Sequence, residues 1–416
     1  MKLNRKSTSL AILALLLIST KLALAQTPLV SVPSGFFGMT LMDSSHWPTI
    51  PFGALGKAPG VSWPFVEPTK GKFNWTRLDG WVNDANAHGL SFVWDSEYVP
   101  PWAAANPSSC RAGYFNTTVC TSTVANIHIQ DWKNFMTALV TRYRGRIQVY
   151  ELWNEPSSTT VYTGTVADLV ILTRAEHDVI RSIDPTAKIV GPAMQSYRTD
   201  YLDSYFAAGG TKDIDAVTYH AAPNPKLDVA EFLMGSVVSG VKTVMAKYGL
   251  SGKPLWDTEN SWGETKAGAI TDPDLRAAFV ARDLLLSWNS GTSRTYWCCW
   301  DNDEDGTVWS PSTGISEAGV AWEHVHKWMY GATMSACSLN GSTDFYHAVY
   351  TCDLKRSGTR WVGRAVWWTD GTKAYTAPSQ YTQYEILENS SIIRIPSNHQ
   401  VTIGREPILL ENEDIP

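Results

Sequence analysis

The chain has 416 residues, and its 34 basic and 40 acidic side chains leave a formal net charge of −6. Lysine and arginine form no dense run, which argues against a nucleic-acid partner because a phosphate backbone is bound by clustered positive charge. The length suits one large domain and a small one.

The first 25 residues have the pattern of a secretory signal peptide. Three basic residues precede an apolar run over 10–18, and Ala-Leu-Ala at 23–25 offers a small-residue cleavage site. We therefore expect an exported protein, extracellular or periplasmic, whose mature chain begins at Gln26. No later stretch is long and apolar enough to serve as a membrane anchor.

From residue 35 to about 330, short strand-like runs alternate with helix-like runs. The predicted strands cover 36–41, 56–63, 90–102, 147–153, 187–194, 215–223, 253–262 and 293–301. The predicted helices cover 78–89, 132–143, 166–183, 201–210, 229–248, 273–288 and 317–330. This alternation predicts an α/β fold, a (β/α)₈ TIM barrel over 26–331. A doubly wound open sheet is the alternative, but no glycine-rich phosphate loop follows the first strand.

After about residue 331 the pattern becomes strand-like throughout. Short alternating runs are broken by Gly, Pro, Asn and Ser, which predicts a small all-β, sandwich-like domain over 332–416. Trp361, Trp367 and Trp368 favour glycan binding by this domain, whereas packing against the barrel is the plainer interpretation.

The six cysteines of an exported protein favour disulfides over a metal site. No CxxC or HxxxH spacing accompanies them, so we predict no bound metal and no cofactor. Adjacent Cys298 and Cys299 either form a vicinal disulfide or remain thiols. The expected pairs are Cys110 with Cys120 and Cys337 with Cys352.

Two glutamates end predicted strands where a barrel gathers its functional side chains. In VYELWNEPSS (149–158), Asn154 and Glu155 follow a strand that Pro156 stops. In PLWDTENSWG (254–263), Glu259 ends the seventh strand in the same way. The fourth and seventh strands lie across the barrel mouth from each other, so the two carboxylates would face each other over a cleft. Glycoside hydrolysis requires such a pair.

These motifs resemble those of clan A glycoside hydrolases. ELWNEP (151–156) resembles the strand-four motif that carries the acid/base of the clan, and WDTEN (256–260) resembles its nucleophile segment. The stretch 60–90 and YWCCWDN (296–302) extend the similarity over most of residues 36–330. A barrel with a trailing β domain is most like family 39, the β-xylosidases and iduronidases, with families 5, 30 and 51 as possible relatives.

The resemblance implies a secreted retaining O-glycosidase that cleaves a β-linked plant or microbial polysaccharide or oligosaccharide. Glu155 would be the general acid/base and Glu259 the nucleophile, about 5–5.5 Å apart. Asn154 would bind the sugar 2-hydroxyl. His220 and Tyr219, at the end of strand six, would orient Glu259 or bind substrate. Ala222 departs from the clan pattern, which often has a tyrosine there.

The chain contains 19 tryptophans, which suit core packing and also stacking on the faces of sugars. Trp300 is the strongest candidate for a sugar platform. Ordinary barrel packing is the alternative for each aromatic. The other candidate substrate contacts near the strand ends are Trp297, Trp63, Trp94, Glu97 and Trp102.

Two other functions stay open on the sequence. One is a non-catalytic carbohydrate-binding protein on a barrel scaffold, and the other is an exo-acting β-xylosidase or arabinofuranosidase. The many aromatic residues favour a polymer-binding groove. No G-x-S-x-G motif is present, which argues against a serine hydrolase. The sequence carries no prediction of the oligomeric state.

Overall fold

The computed structural model describes residues 30–416 apart from 196–197, 212–213, 222–229, 233–235, 264–269, 303–305, 341, 343 and 390. The predicted signal peptide and Ala222 lie outside the described residues. In the described part, no helix has the length and apolar character needed to cross a membrane.

A parallel barrel forms the centre of the molecule. Adjacent strands pair in parallel, and the first strand pairs with the eighth. The fifth strand has two segments, which pair with the fourth and the sixth strand respectively, so the ring closes. The strands are β1 (Phe37–Met39), β2 (Ala54–Leu55), β3 (Ser91–Asp95), β4 (Val149–Glu151), β5 (Lys188–Val190 and Met194–Gln195), β6 (Val217–Ala221), β7 (Leu255–Asn260) and β8 (Thr292–Trp297).

Helices cover the outside of the barrel, as the sequence predicts. In the helix Ile129–Tyr143 the buried residues recur at helical spacing from Trp132 to Tyr143, and the helix Val166–Ile183 begins with a capping box formed by Thr165 and Asp168. Shorter helices are Trp63–Val66 and Ala230–Phe232. The long helices are α1 (Thr76–Ala87), α2 (Ile129–Tyr143), α3 (Val166–Ile183), α4 (Thr199–Ala207), α5 (Val238–Lys247), α6 (Pro273–Asn289) and α7 (Glu317–Met329).

The prediction for the second strand was wrong in its position. The sequence placed this strand at 56–63, but β2 is Ala54–Leu55. Pro59 and Gly60 form a turn in which Gly60 has φ 73°, and a helix starts at Trp63. Pairing ends at Gly56, whose amide donates to the Met39 carbonyl at 2.8 Å. The turn follows, and proline cannot donate to a sheet, so the run 56–63 does not continue as a strand. Lys57 therefore follows the strand and stands at the barrel mouth.

The C-terminal residues form two antiparallel sheets, which confirms the sandwich-like β fold. Val366, Val401 and Leu410 belong to a core between the sheets. Trp367 and Leu409 belong to the main core shared with the barrel. The six-stranded sheet has the order Thr333–Met334, Val349–Lys355, Val362–Trp368, Ile408–Glu411, Gln383–Glu385 and Ile392–Arg394, and the two-stranded sheet pairs Lys373–Thr376 with Gln400–Ile403.

Three disulfides are present, and both predicted pairs are confirmed. Cys110–Cys120 closes a hairpin in the insertion after β3, and Cys337–Cys352 joins two segments of the β domain. Cys298 and Cys299 form a disulfide with each other, which resolves the alternative that the sequence left open.

The interior of the barrel changes from apolar to charged along its axis. Toward the carboxyl ends of the strands, Asp95, Glu151, Thr218 and Thr258 are all buried. Each lies two residues beyond an apolar residue of the same strand or, for Thr218, beyond Ala216 just before β6, and alternate residues of a strand share a face. The apolar residues, called the apolar layer below, are Ala54, Val93, Val149, Val190, Ala216, Trp256 and Tyr296.

Candidate active site

The chain leaves β4 through a constrained backbone that directs Asn154 and Glu155 into the barrel mouth. Trp153 and Glu155 have φ angles of 67° and 36°, a region that residues other than glycine rarely occupy. The Trp153 amide donates to Ser96 Oγ at 2.8 Å, and the Asn154 amide donates to the Ser96 carbonyl at 2.8 Å. Ser96 therefore fixes the turn that orients both polar residues.

An irregularity in β7 brings Glu259 to the same mouth. The pairing of β7 with β6 shifts register between Asp257 and Glu259. Thr258 donates to Glu151 Oε1 at 2.6 Å inside the barrel, while Glu259 Oε2 lies 3.0 Å from Lys57 Nζ. The bulge therefore lets two successive residues reach the interior, which a regular strand would not allow.

Glu155, His220 and Glu259 converge at this mouth, with their donor and acceptor atoms within 4.8 Å of one another. His220 Nδ1 lies 2.9 Å from Glu155 Oε1 and 3.8 Å from Glu259 Oε2. Lys57 Nζ lies 3.1 Å from His220 Nε2. An ammonium group can only donate, so we assign Nε2 as the acceptor and Nδ1 as the protonated atom that donates to Glu155.

The donor atoms of Glu155, His220 and Glu259 are of a kind that binds divalent metals. However, the Lys57 ammonium lies 3.0 Å from Glu259 and 3.1 Å from His220, so a positive charge already lies beside two of these three side chains. A second cation would be repelled there. This arrangement fits a hydrogen-bonded cluster better than a metal centre.

Lys57 is a site residue that the sequence analysis missed. It is only 8% exposed, and its Nζ lies 2.5 Å from Asn154 Oδ1 and 3.9 Å from Glu151 Oε2. Burial disfavours its charge, but the attraction of Glu259, Glu151 and Asp95 outweighs burial and raises the pKa of Lys57. The only signal in the sequence is a single lysine in the otherwise uncharged run FGALGKAPG (52–60).

The carboxyl groups of the cluster have strongly separated pKa values. Burial acts to raise the pKa of Glu259, but the nearby Lys57 charge outweighs it and lowers this pKa to about 2. Burial raises the pKa of Asp95 to about 6 and that of Glu97 to about 8. Glu259 is therefore ionised at neutral pH, while Glu97 largely retains its proton.

Asn154 and Glu97, both candidate substrate contacts on the sequence, lie beside Lys57 and bond each other. Asn154 Nδ2 donates to Glu97 Oε1 at 3.2 Å, while its Oδ1 accepts from Lys57. Gln195, at the end of β5, is a second residue that the sequence analysis missed, and its Nε2 donates to Glu155 Oε2 at 3.3 Å. A lone glutamine gives no sequence signal of such a role.

Tyr219 does not line the cleft, which corrects the prediction for this residue. It is fully buried in the main core, and its hydroxyl bonds Thr292 Oγ1 at 2.9 Å. His220 occupies the inward position of β6, and adjacent strand residues point to opposite sides.

Most of the predicted aromatic contacts are core residues instead, because their indole groups are enclosed by the protein. Trp300 is 1% exposed and stacks on partly exposed Trp309, with ring centroids 5.6 Å apart. Trp102 is partly buried and meets Trp63 edge-on. Trp63, Trp94 and Trp297 are buried, and their indole nitrogens donate to Glu67, Val61 and Gly306 respectively.

Comparison with known proteins finds distant relatives that are xylanases and a β-xylosidase. No protein-family model matches the sequence. The chain is 24% identical over 251 residues to endo-1,4-β-xylanase A of Phanerodontia chrysosporium, which covers 57% of this chain and 52% of that protein. It is 24% identical over 203 residues to a β-xylosidase of Geobacillus stearothermophilus, which covers 42% of this chain and 40% of that protein. The chain spans about half the length, or less, of these curated relatives.

Solved structures share the fold over most of the chain. A family 39 glycoside hydrolase of Bacteroides cellulosilyticus WH2 has a TM-score of 0.65 at 16% identity, covering 86% of this chain and 75% of that one. A family 39 enzyme of Xanthomonas axonopodis pv. citri has a TM-score of 0.62 at 13% identity, covering 92% and 95%. The resemblance predicted from the motifs is confirmed: the chain has the fold of the clan A glycoside hydrolases and is most like family 39.

Proposed function

We propose that the protein is a retaining glycoside hydrolase that cleaves a β-linked polysaccharide or oligosaccharide by double displacement. The observation that carries this proposal is the convergence of Glu155 and Glu259, which with His220 lie within 4.8 Å of one another. Retaining enzymes hold their two carboxyl groups about 5–5.5 Å apart, whereas inverting enzymes leave room for a water.

Glu259 is the proposed nucleophile. It is ionised above about pH 2, and its carboxylate would attack the anomeric carbon as the bond to the leaving oxygen breaks. The product of this step is a glycosyl ester of Glu259.

Glu155 is the proposed acid and then base. Its Oε1 accepts from His220, which leaves Oε2, beside Gln195, to give a proton to the leaving oxygen. In the second step Glu155 takes a proton from a water that attacks the anomeric carbon and releases Glu259. Asn154, Glu97 and Trp102 are proposed substrate contacts, with Asn154 Nδ2 directed to the sugar 2-hydroxyl.

β-1,4-Xylan is the first substrate class to test, because the relatives include endo-1,4-β-xylanases and a β-xylosidase. Internal cleavage of the polymer is our primary proposal. Release of terminal xylose is the second, and the β-xylosidase relative supports it. The products formed from xylohexaose distinguish the two, because an exo enzyme gives only xylose and xylopentaose at early times, whereas internal cleavage gives fragments of intermediate length.

We further propose an exported protein in which 26–331 carries catalysis and 332–416 is an accessory domain. Three disulfides support export, since disulfides persist in oxidising compartments. The accessory domain is held to the barrel by a buried contact, in which the Trp367 indole donates to Glu231 Oε1 at 2.9 Å.

The test is hydrolysis of xylan, xylo-oligosaccharides and aryl β-xylosides by the wild type beside Glu155→Gln and Glu259→Gln. We expect the wild type to cleave with retention at the anomeric carbon, measured by NMR, and each variant to lose at least about 10⁴-fold in kcat. Glu323→Gln, on an exposed residue of α7, is the matched control and should keep full activity. Glycan binding without cleavage would support the carbohydrate-binding alternative instead.

A further inference from the structure

The double displacement described above assigns no step to Lys57, yet this residue lies at the centre of the site. Its ammonium is within hydrogen-bonding distance of three acceptors: Asn154 Oδ1 at 2.5 Å, Glu259 Oε2 at 3.0 Å and His220 Nε2 at 3.1 Å. An ammonium group has three protons, so these contacts use all of them. With 8% exposure, the side chain is enclosed by the protein instead of being presented to a ligand.

We propose that Lys57 is a positioning residue that keeps Glu259 ionised and links the two proposed catalytic glutamates through His220. The proposal rests on the function proposed above and deepens it. Lys57 binds Glu259 directly, and it binds Nε2 of the histidine whose Nδ1 contacts Glu155. A continuous chain of hydrogen bonds therefore joins one carboxylate to the other.

The first argument is the balance of charge. Lys57 faces Glu259, lies 3.9 Å from Glu151 Oε2, and is attracted by Asp95. Glu151 and Asp95 are buried, and the Glu259 side chain is 38% exposed. Without a cation among them, burial and repulsion between like charges would favour protonation of these carboxyl groups. Without Lys57, Glu259 would take up a proton and lose its nucleophilic form. The low pKa of Glu259 agrees with this account.

The second argument is that Lys57 is unsuited to proton transfer itself. Its carboxylate neighbours raise its pKa, so the ammonium keeps its proton throughout the working pH range. Its effect is therefore exerted through Glu259 and His220. When Glu259 forms the glycosyl ester and loses its charge, the attraction on Lys57 weakens, and His220 transmits this change to Glu155.

A purely structural role is the competing explanation, in which Lys57 only neutralises Glu151 and Asp95 and supports the fold. The two roles differ in the pH dependence of catalysis. A structural lysine would change the amount of folded enzyme and leave the acid limb of the pH profile where it is. A lysine that acts through Glu259 moves that limb.

The experiment compares Lys57→Met and Lys57→Arg with the wild type on an aryl β-xyloside, measuring kcat and KM from pH 2 to 9 so that the range includes the pKa of Glu259, about 2 in the wild type. For Lys57→Met we expect kcat/KM to fall about 100-fold at pH 7, mainly through kcat, and the acid limb to move upward by at least one pH unit. Lys57→Arg should recover part of the rate and return the limb toward the wild type. Lys247→Met, at an exposed ion pair with Asp203, is the matched control and should change neither.

An acid limb that stays in place in the folded Lys57→Met variant would overturn the proposal, whatever the loss in rate. Should that variant not fold, Lys57→Gln, which removes the charge but keeps a hydrogen-bonding side chain, carries the test, and its acid limb should move upward in the same way. Thermal unfolding of Lys57→Met, Glu259→Gln and the double variant gives a readout that needs no substrate. This comparison holds even if the enzyme hydrolyses nothing. A midpoint change in the double variant that differs from the sum of the two single changes supports the link between Lys57 and Glu259, and a change equal to that sum overturns it.

Discussion

The two ends of the barrel interior use the same strands for opposite purposes. On β4, Val149 belongs to the apolar layer, while Glu151, two residues further, faces Lys57. On β7, Trp256 belongs to the apolar layer, while Thr258 bonds Glu151. Two residues along a strand, about 7 Å, separate a position that stabilises the fold from one that serves the site.

This difference shows how the molecule tolerates a buried charged cluster. Removing apolar surface from water stabilises the fold, whereas burying charges costs free energy unless they are paired. Lys57 and Glu259 are paired at 3.0 Å, but the carboxyl groups of Asp95 and Glu97 have raised pKa values, chiefly because of burial. Substitutions in the apolar layer should therefore affect stability, and those in the cluster should affect activity.

The largest effect should come from Trp256→Ala in the apolar layer. Removing this buried indole leaves a cavity and should lower the free energy of unfolding by about 3–5 kcal/mol, measured by urea denaturation. The protein that remains folded should keep a kcat close to the wild type. Phe345→Ala, at a half-exposed ring, is the control and should cost less than about 1 kcal/mol. Loss of kcat without loss of stability would contradict the comparison.

His220→Ala tests whether a substitution in the charged cluster affects activity more than stability. The substitution removes the donor to Glu155 and the acceptor for Lys57, and we expect kcat/KM to fall about 100-fold. The thermal midpoint should change much less than in Trp256→Ala. His347→Ala, at an exposed histidine, serves as the control. If His220→Ala instead unfolds the protein, the cluster contributes to stability as much as the apolar layer does.

Glu97 should make stability depend on pH. Its pKa is about 8 in the folded protein, above the ordinary value of 4.5, so the folded state binds the proton more tightly than the unfolded state. The contribution of this proton is fully present below about pH 4.5 and is lost as the pH rises toward 8. The thermal midpoint should therefore fall by a few degrees from pH 5 to pH 8, and less so in Glu97→Gln. Parallel curves for the two proteins would refute this.

The smallest effect should come from Thr258→Val, at the boundary between the two regions. This substitution keeps the shape of the side chain and removes the hydroxyl that donates to Glu151 Oε1. We expect a loss of about 1–2 kcal/mol in the free energy of unfolding, because a buried carboxylate oxygen loses its donor. Activity should stay within about threefold. Unchanged stability would mean that Glu151 finds another partner.

The sequence predicted the element order well because most helices and strands follow strong hydrophobic periodicity. The stripe from Trp132 to Tyr143 is buried along α2 as expected. The second strand was misplaced because Ala54–Leu55 is too short to show a period, and the run 56–63 that follows is rich in apolar residues. A two-residue strand is defined by its partners, and a linear sequence does not contain them.

Most of the predicted aromatic contacts are buried in the core, for a physical reason. Tryptophan suits a packed core and a sugar platform equally, and the sequence does not reveal which face of the ring is covered. Trp300 was the strongest candidate, but Trp309 covers it. Lys57 was missed for the converse reason, since a single lysine usually lies on the surface. In the folded barrel it is buried among Asn154, His220 and Glu259.

The sequence by itself determined the alternation of strands and helices, the two disulfide pairs at 110/120 and 337/352, and the placement of Glu155 and Glu259 at strand ends. These features depend on local periodicity, spacing and residue chemistry. Only the tertiary structure decided that Lys57 and His220 join the two glutamates and that most of the predicted aromatic contacts are buried. Residues 57, 155, 220 and 259 are far apart in the chain, and the closure of the barrel brings them within hydrogen-bonding distance.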